Sequence, residues 1–305
     1  MVAAAPYDLF TVIDSATLDA IGRRLGWKVR SAHRLSGGCI ATVLRVDALD
    51  NGARRDVVVK YGGDDDDETL AAEGRMLGDL RAAGLPVPRV ELAEPGLLVL
   101  EHIEHDGRGG ESAEQHAAEL LAGLHSNTSD RFGYTFPTPL GGIPQPNDWS
   151  TTWPAFYGRR RLIPMAAGAV AAGRLGAGVL ERILRLAERL PGTLGDCGPP
   201  SLIHGDIWGG NVLCHAGRIA AFIAPAISYA DAELELAFIT LFGTFGRSFF
   251  QRYEVLRTIR PGFFEWRRDL YNIYPLLVHA RLFGGGYGAD VESTLRRVES
   301  TIGAG

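Results

Sequence analysis

Cysteine and positive charge are both in short supply in this sequence. The chain has three cysteines, Cys39, Cys197 and Cys214, and no CxxC pair. An odd number without a pairing motif argues against a disulfide framework and indicates a reducing compartment. Basic residues number 31 against 36 acidic residues, so the formal charge is −5. The chain lacks the basic field that nucleic-acid binding requires, and a small substrate is the better expectation.

Long apolar runs are also missing. The most membrane-like stretch, residues 163–180, is rich in Ala and Gly and is interrupted by Arg174. It is too short and too weakly apolar to span a bilayer. The first ten residues, MVAAAPYDLF, have neither the basic nor the apolar region of a secretory signal. We therefore expect a cytoplasmic protein, monomeric or homodimeric, with no membrane or nucleic-acid partner.

The first hundred residues have the pattern of a small β-rich region. Two runs rich in β-branched residues, ATVLRVDA and RDVVVKYG, flank Asn51-Gly52, which is a typical hairpin turn. The acidic run Asp64–Asp67 precedes a helical pattern that ends near Gly84, a typical C-cap residue. The apolar stripe of this predicted helix consists of Leu70, Met76, Leu77 and Leu80.

The pattern becomes mainly helical from about residue 112. Ser112 and Gln115 have the spacing of a capping box, which predicts a helix start there. Residues 127–153 are rich in Pro, Gly and aromatics and predict a long loop, which is usually functional at such a length. Two later segments, 231–256 and 265–283, have helical patterns, the second despite Pro275.

The segment 203–213, IHGDIWGGNVL, carries the pattern H-x-D-x-x-x-x-N. Phosphoryl transfer needs a carboxylate to accept the proton of the attacking hydroxyl, and oxygen ligands for a metal ion. Asp206 meets the first need, and Asn211 offers an amide oxygen of the kind that Mg²⁺ prefers. His204 would brace the loop by hydrogen bonding, and Gly205 would permit close backbone packing. The alternative is an ordinary turn in which the aspartate is a cap.

Features further upstream occur in the order found in kinases. Lys60 ends an apolar strand and needs a charged partner, which Glu73 on the following helix can supply. Gly37 and Gly38 lie between strand-like segments, where backbone amides can approach phosphate oxygens. A surface ion pair of little energetic value is the alternative interpretation of the lysine and glutamate.

Together these segments resemble the fructosamine kinase (ketosamine-3-kinase) family, a branch of the aminoglycoside-phosphotransferase-like kinases. The motif HGDIWGGN differs from the family signature only at Ile207, and PQPNDWSTTWPAFYGRRRL and ARLFGGGYG resemble later family blocks. The likeness extends from about Leu35 to Val298. It implies an α+β, bilobal protein-kinase-like fold, with a small β-rich N-lobe (residues 1–103) that binds nucleotide. A larger, mainly helical C-lobe (residues 104–305) would carry the catalytic loop and bind the acceptor.

The resemblance also implies roles for individual residues. Asp206 would be the catalytic base and Asn211 a metal ligand, while Lys60 and Glu73 would hold the phosphates of ATP. The family moves the γ-phosphate of ATP, with Mg²⁺, to the 3-hydroxyl of a ketoamine sugar, so the expected partner is a sugar amine or glycated amine. Adenine would be received around Glu101, His102 and Ile103, and Trp208, within the signature, would help line the acceptor site. Apart from the resemblance, Gly285 and Tyr287 are candidates for shaping the acceptor pocket, because glycine allows close approach of the backbone.

One departure from the family pattern affects this expectation. The family has a metal-binding aspartate where this chain has Ala224, in the segment FIAPAISYAD. Losing one group that stabilises charge in the transition state typically costs about 10²–10³ in rate. Asp231, seven residues further on, is the candidate for a substitute ligand. Three interpretations stay open: a ketoamine kinase impaired by Ala224, a kinase of aminoglycosides or other small hydroxyl compounds, and a nucleotide-binding pseudokinase.

Overall fold

The computed structural model describes residues 15–35, 41–62 and 68–303. The chain divides into two compact units: Met1–Arg75 with Pro88–His102, and Met76–Val87 with Ile103–Gly305. Gly37 and Gly38, predicted to approach phosphate, lie outside the described residues, as does the acidic run Asp64–Asp67.

The first unit is built on one five-stranded antiparallel sheet that a helix precedes. Alternate residues of β2 and β3 are buried, as expected of strands with one face on the core, whereas Leu97–Leu100 of β5 are all buried. The cluster under this face includes Leu44, Val46, Val57, Val59 and Val99. The elements are α1 (Ser15–Leu25), β1 (Lys28–Arg34), β2 (Thr42–Asp50), β3 (Ala53–Tyr61), β4 (Val90–Glu94) and β5 (Leu97–Glu101), in the spatial order β1-β2-β3-β5-β4.

Two predictions for the first hundred residues are confirmed. The turn between β2 and β3 lies at Asn51 and Gly52, whose φ angles of 47° and 86° suit a two-residue hairpin turn. Helix α2 (Thr69–Ala82) is followed by Gly84 with a φ of 88°, as expected of a helix C-terminus. The predicted apolar stripe of α2 is buried at all four positions, Leu70, Met76, Leu77 and Leu80.

The second unit is mainly helical. No helix among the residues that the structure describes has the length and apolar character needed to cross a membrane. Its elements are α3 (Glu111–His125), β6 (Thr138–Leu140), β7 (Ile143–Gln145), α4 (Trp153–Phe156), a π-helix (Tyr157–Leu162), α5 (Ile163–Ala171), α6 (Ala177–Leu194), β8 (Ser201–Ile203), a 3₁₀ turn (Gly209–Asn211), β9 (Val212–His215), β10 (Arg218–Phe222), β11 (Ser228–Ala230), α7 (Ala232–Leu241), α8 (Arg247–Leu256), a second π-helix (Phe263–Arg267), α9 (Arg268–Phe283) and α10 (Tyr287–Gly303).

The predicted capping box at Ser112 is wrong. Helix α3 begins one residue earlier, at Glu111, after Gly110 with a φ of 93°, and no side chain caps it. Ser112 lies inside the first turn, and Gln115 donates a hydrogen bond to the Glu111 side chain (3.3 Å) rather than to a cap. The helix prediction across Pro275 is confirmed, because α9 continues through this residue.

The segment 127–153 is less loop-like than predicted. It contains the short hairpin of β6 and β7, and two of its polar side chains are buried and bonded to the helices. The Asn147 Oδ1 atom accepts a hydrogen bond from Arg161 Nη2 (2.7 Å), and Gln145 Oε1 accepts one from the Tyr274 hydroxyl (2.6 Å). These polar residues hold the segment against the helical body.

Candidate active site

Residues 204–211, called the HGD loop below, connect β8 to β9 in the second unit. Strand β8 pairs with β11, and the Ala226 amide donates to the His204 carbonyl (2.8 Å). At the other end of the loop, the Ile223 amide donates to the Asn211 carbonyl (3.0 Å). Both ends of the HGD loop are therefore hydrogen-bonded to the segment 223–226.

The structure brings Asp206 and Asn211 together. The Asn211 Nδ2 atom donates to the Asp206 carboxylate oxygen Oδ2 (2.8 Å) and to the Asp206 carbonyl (2.9 Å). Since both of these partners are acceptors, they fix the orientation of the amide. The Asn211 Oδ1 atom therefore points away from Asp206 and is available to coordinate a cation or to accept a hydrogen bond.

The proton affinity of Asp206 is raised. Burial, reinforced by the negative charge of Glu235, raises the pKa of Asp206 to about 7, although the hydrogen bond from Asn211 acts in the opposite direction. A general base works best when its pKa lies near the operating pH. In this environment Asp206 has the proton affinity that a base requires at neutral pH.

His204 and Gly205 shape the backbone next to this carboxylate. The His204 side chain is fully buried, and its Nδ1 atom accepts a hydrogen bond from the Asp206 amide (3.3 Å). Burial lowers the pKa of His204 to about 4, so the ring is neutral at pH 7. Gly205 has a φ of 85°, and a Cβ atom there would lie 2.2 Å from the Ala226 carbonyl oxygen. Only glycine fits this position without displacing the backbone.

A chain of buried side chains behind the loop was not predicted from the sequence. Glu235 Oε1 accepts a hydrogen bond from the Gly205 amide (2.6 Å), and Glu235 Oε2 lies 2.8 Å from His125 Nε2. His125 Nδ1 in turn lies 2.7 Å from the Tyr253 hydroxyl. The available signal was Glu235 itself, an acidic residue in the otherwise apolar run LELAFITL.

The backbone at Ala224 is in the left-handed region, with a φ of 51°. Among residues other than glycine, Asn and Asp are the ones enriched in this region, because their short polar side chains can bond locally. Alanine has neither this advantage nor a ligand atom. The conformation at position 224 is therefore one that suits an aspartate better than the alanine present.

Asp231, the candidate substitute ligand, is committed to other partners. It caps α7 by accepting from the Glu233 amide (3.1 Å) and accepts from the Tyr271 hydroxyl (2.6 Å). It also forms an ion pair with Arg260. A buried carboxylate with three such donors is part of the helix packing.

The donors near the HGD loop fit a magnesium ion only in part. Asn211 Oδ1 and the Asp206 carboxylate are oxygen ligands of the type that Mg²⁺ prefers, and this ion commonly uses one or two protein ligands with waters and substrate phosphates. Ala224 adds no donor. Within residues 15–35, 41–62 and 68–303, no cluster of three or more His, Cys, Asp or Glu side chains is arranged to hold a metal.

The structure also brings Lys60 and Glu73 together, within the first unit. Lys60 lies near the end of β3 and Glu73 in α2, and their Nζ and Oε1 atoms are 2.6 Å apart. The two side chains are only 14% and 12% exposed. This pair is more buried than a surface ion pair, so a fixed ammonium group is presented at this position.

Residues 101–103 lie where β5 leads out of the first unit. The Glu101 amide donates to the Arg89 carbonyl (2.9 Å), and the Glu101 carboxylate accepts from the Arg89 amide (3.2 Å). His102 Nδ1 is 3.9 Å from an Asp56 carboxylate oxygen, and the Ile103 carbonyl lies 3.0 Å from His105 Nδ1. Much of the hydrogen-bonding capacity of this stretch is thus used within the chain.

The predicted acceptor residues lie in two places. Trp208 is 46% exposed and its ring covers Gly210 in the HGD loop. Gly285, with a φ of 60°, precedes Tyr287 at the start of α10. The Tyr287 ring lies 5.0 Å from that of His279, and Phe283 is 49% exposed beside them.

The ring of Phe242 also packs against that of His279, and Thr244, close to Phe242 in the chain, is hydrogen-bonded to the HGD loop. The Phe242 ring is 4.8 Å from that of His279. Two residues beyond Phe242, the Thr244 hydroxyl donates to the Ile207 carbonyl of the HGD loop (3.2 Å). The aromatic group, comprising Phe242, His279, Phe283 and Tyr287, is therefore linked to the HGD loop through the segment that carries Phe242 and Thr244.

Comparison with known proteins identifies the family. The sequence pattern described as fructosamine kinase matches residues 15–301. The ketosamine-3-kinase of Mus musculus is 35% identical over 227 residues, which are 74% of this chain and 66% of that protein. The chloroplastic protein-ribulosamine 3-kinase of Arabidopsis thaliana is 31% identical over 239 residues, 73% of this chain and 70% of that protein.

A solved structure agrees with this result. The crystal structure of a Thermobifida fusca protein assigned as a fructosamine-3-kinase superposes with a TM-score of 0.81 at 27% identity, covering 92% of this chain and 98% of that one. Its match extends across the β-rich and the helical parts alike. The chain therefore belongs to the fructosamine kinase family, a family of kinases, and has its α+β protein-kinase-like fold.

Proposed function

We propose that this protein transfers the γ-phosphate of ATP to a hydroxyl group of a ketoamine sugar, O3 of a fructosamine-type adduct. One observation carries the proposal. The Asp206 carboxylate, in a loop with the family signature, is oriented by a hydrogen bond from Asn211 Nδ2 (2.8 Å), and burial raises its pKa to about 7. The named activities of the relatives in mouse and Arabidopsis support a ketoamine acceptor.

The chemical step assigns one role to each group. As the acceptor oxygen attacks the γ-phosphorus, the Asp206 carboxylate takes the hydroxyl proton and ADP departs with the bridging oxygen. Trp208 and the aromatic group with Gly285 and Tyr287 bind the acceptor, whose sugar ring has apolar faces that pack on aromatic rings. His204, neutral and buried, supports the loop.

The nucleotide is assigned to the N-terminal region, residues 1–103, and the acceptor to residues 104–305. Lys60, fixed by Glu73, binds the α- and β-phosphates as a point charge. The phosphate-binding role predicted for Gly37 and Gly38 concerns residues outside those described and stays a prediction from the sequence, and the stretch Glu101, His102 and Ile103 receives adenine. The protein acts in the cytoplasm as a monomer or homodimer.

Asn211 Oδ1 is the proposed ligand of Mg²⁺. When bound, this ion neutralises charge that develops on the transferred phosphoryl group. With Ala224 in place of a carboxylate, the protein supplies one ligand fewer, and we expect slow turnover. Ala224 is also the observation that favours a second candidate, a pseudokinase that binds nucleotide without catalysis.

An acceptor panel tests the proposal. ATP consumption is measured with fructoselysine, ribuloselysine and a set of aminoglycosides, for the chain as it is and for Ala224→Asp. We expect turnover with the ketoamines, faster in the variant. Turnover with aminoglycosides alone would overturn the ketoamine assignment. Nucleotide binding by calorimetry with no turnover of any acceptor in either form would favour the pseudokinase.

A further inference from the structure

Three polar side chains form one hydrogen-bonded chain in the apolar interior of the second unit. Glu235 lies on α7, His125 on α3 and Tyr253 on α8, and each is at most 1% exposed. Burying polar groups is unfavourable unless every one is hydrogen-bonded, and apolar side chains of similar size would pack there at less cost. The chain ends on the backbone amide of Gly205, next to Asp206.

Glu233, two residues away on the same helix, shows what a purely structural buried acid looks like here. Its carboxylate is paired with two guanidinium groups, those of Arg260 and Arg267, at 2.9 and 2.7 Å. Glu235 has no arginine or lysine partner among the described residues, and its two oxygens are divided between His125 and the Gly205 amide. The hydrogen bonds from His125 and Gly205 lower the pKa of Glu235 against the effect of burial, so this acid is ionised.

The bond to Gly205 acts on the peptide that precedes the proposed base. A hydrogen bond from an amide to a carboxylate is stronger than one between neutral groups. The Asp206 amide is fixed as well, by His204 Nδ1. The amides of Gly205 and Asp206, which determine the position of the Asp206 Cα atom, are therefore both fixed by buried side chains.

We propose that Glu235 and His125 are positioning residues that fix the Gly205 amide and so hold the Asp206 carboxylate toward the acceptor hydroxyl. This role rests on the proposed function of Asp206 as the base. His125 orients Glu235 by the contact of its Nε2 atom with Oε2 (2.8 Å), and the Tyr253 hydroxyl, 2.7 Å from Nδ1, fixes the His125 ring from the other side. Arg257 also links α3 to β8, because its guanidinium donates hydrogen bonds to the His125 carbonyl and to Ser201 Oγ (2.8 and 2.9 Å).

The first measurement reads the position of the amide without reference to activity. His204-Gly205 is the only His-Gly pair in the sequence. Labelling histidine with ¹³C at the carbonyl and glycine with ¹⁵N therefore yields a single NMR cross-peak, that of the Gly205 amide. We expect its proton far downfield and slow to exchange, and we expect Glu235→Leu to move it upfield and speed its exchange.

The second measurement is kinetic and uses the Ala224→Asp form as the parent. In Glu235→Leu, kcat falls about 100-fold, as a displacement of roughly 1 Å at a reacting group can cause, while both KM values stay within about a factor of two. Glu235→Gln keeps an oxygen acceptor for the amide and retains kcat within about tenfold of the parent. Leu190→Ala, a buried change on α6, is the control for general destabilisation and leaves kcat unchanged.

Each result decides the matter. An unmoved Gly205 cross-peak, or a kcat loss in Glu235→Leu no larger than in the Leu190→Ala control, overturns the proposal. If Glu235→Leu fails to fold, His125→Gln and Glu235→Gln carry the test, and Gly205 cross-peaks and kcat values identical to the parent in both overturn it. A parent that phosphorylates no acceptor, although its Gly205 cross-peak responds to Glu235, overturns the proposed function and supports the hold on the loop.

Discussion

The HGD loop and the segment 223–226 beside it share backbone hydrogen bonds but differ in their side chains. In the loop, the side chains of His204, Asp206 and Asn211 each make a hydrogen bond within the loop. In the segment, the amides of Ile223 and Ala226 bond to the loop, but Ala224 contributes only a methyl group. Backbone hydrogen bonds thus fix the position of both stretches, whereas the polar groups that can take part in chemistry come from the side chains of the loop alone.

The strain at Ala224 shows that the backbone conformation of this segment does not depend on the Ala224 side chain. A left-handed conformation costs a residue such as alanine roughly 1–2 kcal/mol, yet the segment keeps it. The hydrogen bonds from the Ile223 and Ala226 amides to the HGD loop hold the backbone on either side of position 224, whatever the side chain there. The geometry of the HGD loop therefore does not depend on the side chain at position 224.

The largest expected effect on kcat comes from the HGD loop, at Asp206. Asp206→Asn in the Ala224→Asp form removes the proton acceptor, and we expect kcat to fall by about 10³, within the range for loss of a general base. ATP affinity by calorimetry stays unchanged, because the nucleotide is assigned to other residues. Turnover above a tenth of the parent value would mean that another group is the base.

Placing a carboxylate at position 224, in the segment 223–226, should give the next largest effect on kcat. Ala224→Asp is expected to raise kcat by about 10²–10³, the worth of one well-placed charged group in such a site. Ala224→Gly is the matched control, since it relieves the left-handed strain and adds no ligand. We expect it to raise the unfolding free energy by about 1 kcal/mol and to leave kcat as it was. Equal gains in kcat for Gly and Asp would show that strain, not ligation, limits the rate.

Sequence reasoning succeeded where partners are close along the chain. Asp206 and Asn211 are five residues apart, so one spacing was enough to place them in one loop. Lys60 and Glu73 are thirteen residues apart, and they were placed by two successive local patterns: the apolar strand that Lys60 ends and the helix that carries Glu73. The hairpin at Asn51-Gly52 was predictable for the same reason.

It failed where the partners are distant or where backbone dihedrals decide. His125 and Glu235 are 110 residues apart, and no local pattern joins them to Gly205. The Ser112 capping box was overridden because Gly110 takes a left-handed φ and lets α3 start at Glu111. Such outcomes depend on tertiary packing, which spacing alone does not encode.

Gly205→Ala would break the junction between the loop and the segment. The added Cβ would approach the Ala226 carbonyl oxygen to 2.2 Å, and a φ of 85° is strained for alanine. We expect the unfolding free energy in urea to fall by at least about 2 kcal/mol. Gly209→Ala is the control, because a Cβ there meets no atom within 4 Å. Equal losses in both variants would contradict a close contact specific to Gly205.

The smallest effect concerns the charge state of His204, whose carbonyl joins the loop to the segment. Its folded pKa of about 4 lies below the ordinary value of 6.5, so between these values the unfolded chain binds a proton that the folded chain does not. Stability therefore falls as the pH drops through this window, by about 1 kcal/mol per pH unit from this residue. In His204→Gln, urea unfolding between pH 6.5 and 5.5 should lose that part of the slope, whereas the exposed control His33→Gln keeps it. The same slope in both variants would mean that His204 gains no proton on unfolding, and that the loop side of the junction does not depend on a neutral imidazole.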